Sequence, residues 1–390
     1  MKEKNNLLSR RDLLKRTALA GVGVFAAPMI NLNRFQVFAD SKAEYSARAI
    51  DLVKQSTVID MLCVMTLDFT KQAKWFKDPE SFTVADLQPW KESGINIIHP
   101  ALGMGGMESY ANVLEFFAFW NGFIANHDEH FMRIDSPNDF DRVKKSGKLG
   151  VILGLQNSDQ FRKLDDVDFF RGLGQRVSQL TYNSRNFIGN GSTERTDEGI
   201  SDFGAAIIER MNKVGMAVDV SHCGDKTTLD AFEISKKPVL ITHSNCRVLA
   251  GGHPRDKTDE AIKKVGENGS VMGITGVRMF VKATEPTTIE DVLDHFDHVR
   301  KLIGAEHLGV GSDIDLYGYD AMPPEDNKRL RAGYKGSYGF REKIDIEGLN
   351  HPQRMFDLTE GLIRRKYSDS DVQGILGGNF ARVLKEIWTV

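Results

Sequence analysis

The sequence predicts an α/β fold, a (β/α)8 TIM barrel in one domain. Three observations carry this: eight short apolar runs, amphipathic helical segments between them, and a length of 390 residues that suits a barrel. The runs are 57–62, 95–101, 149–156, 176–182, 216–221, 238–242, 270–275 and 307–311. Several are rich in Val and Ile, and near-continuous apolarity suits strands buried on both faces. Between them, 205–214 reads AAIIERMNKV and stops at Gly215, and 289–303 reads IEDVLDHFDHVRKLI and stops at Gly304. Glycine after the last turn is the expected helix stop. A doubly wound open sheet draws on the same alternation. However, no Gly-x-Gly-x-x-Gly follows the first run, which weakens a dinucleotide-binding interpretation. No linker divides the chain.

Hydrophobic residues make up 41%, charged residues 27%, and the formal net charge is −3. These values fit a globular enzyme and argue against disorder and against a basic nucleic-acid binder. Three cysteines are too few, and odd in number, for a disulfide scaffold.

The N-terminus reads as an address. Ser9-Arg10-Arg11-Asp12-Leu13-Leu14-Lys15 resembles a twin-arginine export motif, with Leu13 where Phe is commoner. A weakly apolar stretch, 17–30, follows, and Val37-Phe38-Ala39 offers the small residues of a cleavage site before Asp40. That stretch is too short for a bilayer of about 30 Å. Residues 1–39 are therefore expected to be a signal peptide, and 40–390 the mature barrel, exported to the periplasm by the twin-arginine machinery without a stable membrane anchor. Removing 1–39 takes away seven Lys/Arg and two Asp/Glu, which leaves a net charge of −8.

Barrel chemistry gathers at the C-terminal ends of the strands. There the third run ends in Gln156-Asn157, the fifth in Asp219-Val220-Ser221-His222, the sixth in Thr242-His243 and the eighth in Ser312-Asp313. One histidine at a strand end is commonly a hydrogen-bonded core residue. Two on adjacent strands, with an aspartate on the same rim, are elements of a divalent metal site that suits zinc.

These residues resemble the membrane (renal-type) dipeptidase family, peptidase family M19, of the metal-dependent amidohydrolase superfamily. The likeness runs from about residue 57 to 388. It is carried by Leu180-Thr-Tyr-Asn-Ser-Arg-Asn186, Gly199-Ile-Ser-Asp-Phe-Gly204, Gly215-Met-Ala-Val-Asp-Val-Ser-His222, His253-Pro-Arg-Asp256 and Leu376-Gly-Gly-Asn379. The resemblance implies that His222 and His243 bind one metal and that Arg255 holds a substrate carboxylate. It also implies that Asp313 handles protons while an activated water cleaves a dipeptide. Tyr182 and Arg185 are expected to line the pocket.

Departures from the family pattern bear on the metal count. The family's first strand ends in a His-x-Asp pair, and here Leu62 and Val64 stand at those positions. Its bridging Glu is Gln156, and its histidine after strand 4 has no counterpart in Tyr182-Asn183-Ser184-Arg185. Two dications bring a charge of +4 that Asp313 alone cannot offset, and buried unpaired charge is costly. One zinc on His222 and His243, with Gln156 or Asp313 as a third ligand, is the expectation, and Asp60 is a further candidate. The alternative is a non-hydrolytic periplasmic binding or maturation protein on a degenerate scaffold. A homodimer is compatible with either. Cys63, Cys223 and Cys246 could form a thiolate site or a disulfide, or serve as small apolar residues. His127 and His130 are expected to be solvated.

Overall fold

Each of the eight apolar runs contains a strand. In the computed structural model, which describes residues 34–37, 43–103 and 105–390, the strands are Ile59–Asp60, Ile97–Ile98 with Ala101–Leu102, Leu149–Val151 with Gly154–Leu155, Val177–Gln179, Ala217–Asp219, Val239–Ser244, Met272–Ile274 and Leu308–Val310. Every neighbouring pair among them is parallel. The second run is split at His99-Pro100, where proline offers no N–H to the ladder. The twin-arginine segment and the cleavage position before Asp40 lie outside the described residues.

Arg34–Phe35 and Tyr45–Ser46 form a separate antiparallel pair that was not expected. Within the main sheet one strand, Phe131–Arg133, was not expected. It pairs in parallel with Leu149–Val151 at one end of the sheet. Only Phe131 of its three residues is buried, so it carries no apolar run to betray it. The whole is an α/β fold on one curled parallel sheet.

The helices follow their local signals. Asp202–Val214 begins three residues before the expected start, because Ser201 caps it by accepting from the Gly204 N–H. It ends at Gly215, whose φ of 66° is the left-handed stop glycine tolerates best. Ile289–Ile303 has the expected limits, opened by a capping box of Thr288 and Asp291.

Packing decides which end of the sheet is left for chemistry. Ile59, Ile97, Val177, Ala217 and Leu240, early in their strands, and Val271, just before its strand, form one apolar cluster with Phe380, Val383, Leu384, Ile387 and Trp388 of the Asn379–Trp388 helix. That helix seals the N-terminal end of the sheet. Polar side chains collect at the other end. Their strands also approach closely there: a Cβ on Gly311 would stand 2.0 Å from the Thr242 carbonyl oxygen and 2.9 Å from the His243 Cβ. Gly311→Ala is therefore expected to cost about 3 kcal/mol or more, since backbone cannot yield as a side-chain tip can. A urea melt within 1 kcal/mol of the parent would refute that contact.

Candidate active site

His222 and His243 come together at the C-terminal end of the sheet, both essentially without solvent exposure. Their Nε2 atoms face each other at 2.9 Å, and their other nitrogens are oriented separately. The His222 Nδ1–H donates to the Asn183 Oδ1 at 2.8 Å. Thr242 donates its hydroxyl proton to the Asp219 carboxylate at 2.7 Å, so its oxygen is free to accept from the His243 Nδ1–H at 2.8 Å. Asp219 is itself held by the Ser221 hydroxyl at 2.6 Å and the Thr242 N–H at 3.0 Å. Both imidazoles thus carry their proton on Nδ1 and present a bare Nε2 lone pair. Burial, reinforced by the nearby Arg255 cation, holds both pKa values well below the ordinary range, so no proton bridges them at neutral pH.

Two opposed lone pairs at this distance repel unless a cation lies between them. Zinc–nitrogen bonds of about 2.0–2.1 Å at a tetrahedral angle set two ligand nitrogens roughly 3.3 Å apart, so a slight opening admits one ion. The oriented Nδ1 partners are the outer shell such ligands commonly have. The pair fits one divalent cation. Among the described residues no group of three or more His, Cys, Asp and Glu is placed to hold a metal. Further donors must come from an amide oxygen or water. Gln156 has a free one: its Nε2 donates to the Ala101 carbonyl at 3.2 Å, while its buried Oε1 has no partner.

Leu62 and Val64 offer no donor, and Asp60 is already engaged. It accepts from the Ser312 N–H at 2.8 Å and from Arg354 at 3.1 Å, with Arg354 also reaching the Cys63 sulfur at 3.2 Å. Asp60 is therefore the partner of a buried guanidinium rather than a spare ligand.

Asp313 follows the Leu308–Val310 strand with a φ of 63°, and Asn183 has a φ of 59°. Among the described residues just one other non-glycine, Lys366, has a positive φ. Two of the three such positions thus fall in this site, as strained backbone commonly does. Burial pushes the Asp313 carboxyl up to about 7, against the opposing pull of Arg255.

Arg255 is fully buried and stands over the Phe280 ring. Its terminal nitrogens donate to the Ser221 and His243 carbonyls, leaving its Nε–H without an acceptor. Arg255 therefore braces the two histidine-bearing segments and retains one free donor. Tyr182 stacks on the His222 ring, centroids 4.2 Å apart and planes at 24°. Arg185 is instead exposed, with its Nε on the Asn190 side chain at 2.6 Å.

The structure brings in residues not anticipated as site members. Asn183 and Thr242 set the tautomers of the two histidines; Asx and hydroxyl residues at strand ends were the only sequence signal. His99, buried, donates from Nδ1 to the Met61 carbonyl at 2.7 Å and leaves a bare Nε2 without a partner. The cysteines do not converge. All three are free and buried: Cys63 meets Arg354, Cys223 meets Thr181 and Cys246 meets the His295 carbonyl. Burial raises each thiol pKa, so no thiolate site forms. His127, expected in solvent, is buried among Phe82, Phe123 and Phe131 with its Nε2 on the Pro79 carbonyl.

Comparison with known proteins places this arrangement. The membrane dipeptidase family, peptidase family M19, matches residues 46–332 and 336–390. Dipeptidase verJ of Clonostachys rogersoniana is 30% identical over 63% of this chain and 57% of its own length. Dipeptidase tcpJ of Claviceps purpurea is 28% identical over 64% of this chain and 54% of its own. The chain thus spans little more than half of these curated relatives. An amidohydrolase structure from Pseudomonas aeruginosa superposes with a TM-score of 0.75 at 26% identity, covering 88% of this chain and 99% of that one. A metallopeptidase from Rhodobacter sphaeroides, bound to a phosphinate mimic of L-Ala-D-Ala, shares the fold with a TM-score of 0.70 at 16% identity, covering 85% and 99%. With a family match over nearly all of the described chain, this protein belongs to the membrane dipeptidase family, peptidase family M19.

Proposed function

We propose that this chain is an exported, metal-dependent dipeptidase-like hydrolase that cleaves a dipeptide or related amide with one divalent cation, zinc by its ligand chemistry. The observation that carries this is the opposed pair of bare Nε2 atoms on His222 and His243. Gln156 Oε1 would be the third protein donor. A bound zinc supplies a water activated near neutral pH and polarises the carbonyl.

The chain's own residues supply the rest. Asn183, and Asp219 through Thr242, keep both imidazoles in the tautomer that leaves Nε2 free. Asp313, at about 7, can take a proton from water and return it to the leaving amine. The free Nε–H of Arg255 is a donor for the substrate carboxylate.

The finer fold reading is a closed (β/α)8 barrel over 40–390. In its support, Ile97–Ile98 pairs with Leu149–Val151 while Ala101–Leu102 pairs with Gly154–Leu155, so the same two chain segments stand at both ends of the sheet order. Residues 1–39 are the twin-arginine signal peptide, on the strength of Ser9–Lys15, which would place the mature protein in the periplasm.

The test is metal content per chain on protein purified without added metal, with a dipeptide screen that includes D-residue substrates. About one zinc, and activity abolished by chelation, is the expected result. No bound metal, and no hydrolysis after zinc is supplied, would favour the non-hydrolytic binding or maturation protein.

A further inference from the structure

The site's most unusual contact joins a residue beside the histidines to one far along the chain. Tyr182, stacked on His222, shares a hydroxyl–hydroxyl hydrogen bond with Tyr334. Tyr334 lies just after the Pro324–Ala332 helix, in the segment that follows the eighth strand. Its ring packs 4.4 Å from Tyr338 and 5.2 Å from Phe340. The next residue, Lys335, ties the segment down through the Thr193 carbonyl at 3.3 Å and the Glu194 carboxylate at 3.7 Å. Tyr334 is thus carried on an anchored element.

Space has been left for the phenol. A Cβ on Gly103 would stand 2.8 Å from Tyr182 Cε2, 2.9 Å from Cζ and 3.3 Å from the hydroxyl oxygen. A side chain at 103 would push this end of the ring away. Each phenol in a hydroxyl pair has one proton, and the shared bond uses one of the two. Among the described residues no other hydrogen-bond partner is found for either hydroxyl. One O–H is therefore left to donate to something else, next to a histidine proposed to hold the metal. When Tyr334 donates to Tyr182, the Tyr182 O–H is left to point elsewhere and is polarised by that bond, as in any hydrogen-bonded chain.

We propose that the Tyr182 hydroxyl, polarised by Tyr334, is the hydrogen-bond donor to the oxygen of the scissile amide carbonyl as that oxygen becomes negative. Tyr182 is then a catalytic residue, and Tyr334 a positioning residue that acts through it. The inference rests on the hydrolase reading above. No proton is transferred from the phenol: water adds to the carbonyl carbon, its proton passes to Asp313, the C–N bond breaks, and that proton leaves on the amine. The O–H···O contact strengthens as charge builds and relaxes when the carbonyl reforms. A phenol's ordinary pKa of about 10 keeps both hydroxyls protonated at neutral pH, as donors must be.

The test uses zinc-loaded full-length protein with Tyr182→Phe, Tyr334→Phe and the double variant. It reads kcat and KM on a hydrolysed dipeptide and, by calorimetry, the affinity for a phosphinate dipeptide mimic whose anionic oxygens imitate the tetrahedral adduct. Loss of one oxyanion donor costs about 10²–10³ in kcat, so Tyr182→Phe should fall by that factor at near-constant KM, with phosphinate affinity falling as well. Tyr334→Phe should lose roughly tenfold in kcat, about one neutral hydrogen bond's worth. The double variant should be no worse than Tyr182→Phe, because Tyr334 acts through that residue.

Hydrolysis by the parent, with either single variant keeping kcat and phosphinate affinity within twofold, overturns the inference and leaves the hydrolase standing. Equal losses in kcat and zinc content would make the dyad structural and also overturn it. A parent that hydrolyses no dipeptide overturns the functional proposal and this inference together. If Tyr182→Phe fails to fold, the Tyr334→Phe result alone decides by the same criteria.

Discussion

Asp313→Asn is expected to abolish hydrolysis while making the metal-free protein more stable at pH 8. Loss of a general base and acid costs about 10²–10⁴ in rate, and asparagine keeps the size of the side chain and tolerates the positive φ. The stability effect follows from burial, which pushes the carboxyl from 3.8 up to about 7. The folded state therefore holds a proton that the unfolded chain releases. Stability from this group is full below about pH 4 and is lost as pH rises through 7. Asparagine has no such proton to lose. Because Asp313 keeps some exposure at the rim, the gain at pH 8 should be roughly 2–4 kcal/mol, and it should vanish near pH 4. Urea melts at the two pH values measure it; equal effects at both would mean the carboxyl is not desolvated. Before substitution, activity should rise with pH through about 7 as the base ionises.

His243→Ala is expected to reduce bound metal from about one per chain to below roughly a tenth, and hydrolysis by at least about 10³-fold, since it removes one of the two imidazoles whose Nε2 atoms face each other. The fold should survive. Asp219 keeps its bonds to Ser221 and to both groups of Thr242, so the strand end remains braced. Metal analysis by mass spectrometry, with circular dichroism as the fold control, separates the two effects. Hydrolysis unchanged in a clean preparation would remove the metal from the mechanism altogether.

Much of this was legible in the sequence because the features concerned are local. A strand buried on both faces needs an unbroken apolar run, and all eight runs contain strands. Gly215 and Gly304 stop their helices through backbone freedom that is visible in one residue. His222, His243 and Asp313 could be singled out because each ends such a run, and strand ends are where this architecture exposes chemistry. The limits of that logic are equally specific. Phe131–Arg133 is a strand without an apolar signature, made by its place beside Leu149–Val151. His127 lies at the C-terminal end of a helix, which reads as surface, yet three phenylalanines bury it.

Sequence alone thus determined which residues end the strands, and that two imidazoles and one carboxylate would share a rim. It also determined that Leu62 and Val64 offer no metal-binding side-chain atom and that Gln156 is uncharged, because a side chain's donor atoms are a property of its type. Tertiary structure decided what those donors can do. It gave Asp60 to Arg354, from 294 residues away, and set the histidine tautomers through Asn183, Thr242 and Asp219. It also laid Tyr334 against Tyr182 across 152 residues. The physical reason is that donor and acceptor roles, charge and pKa depend on which groups stand within a few ångströms, and only folding fixes those distances.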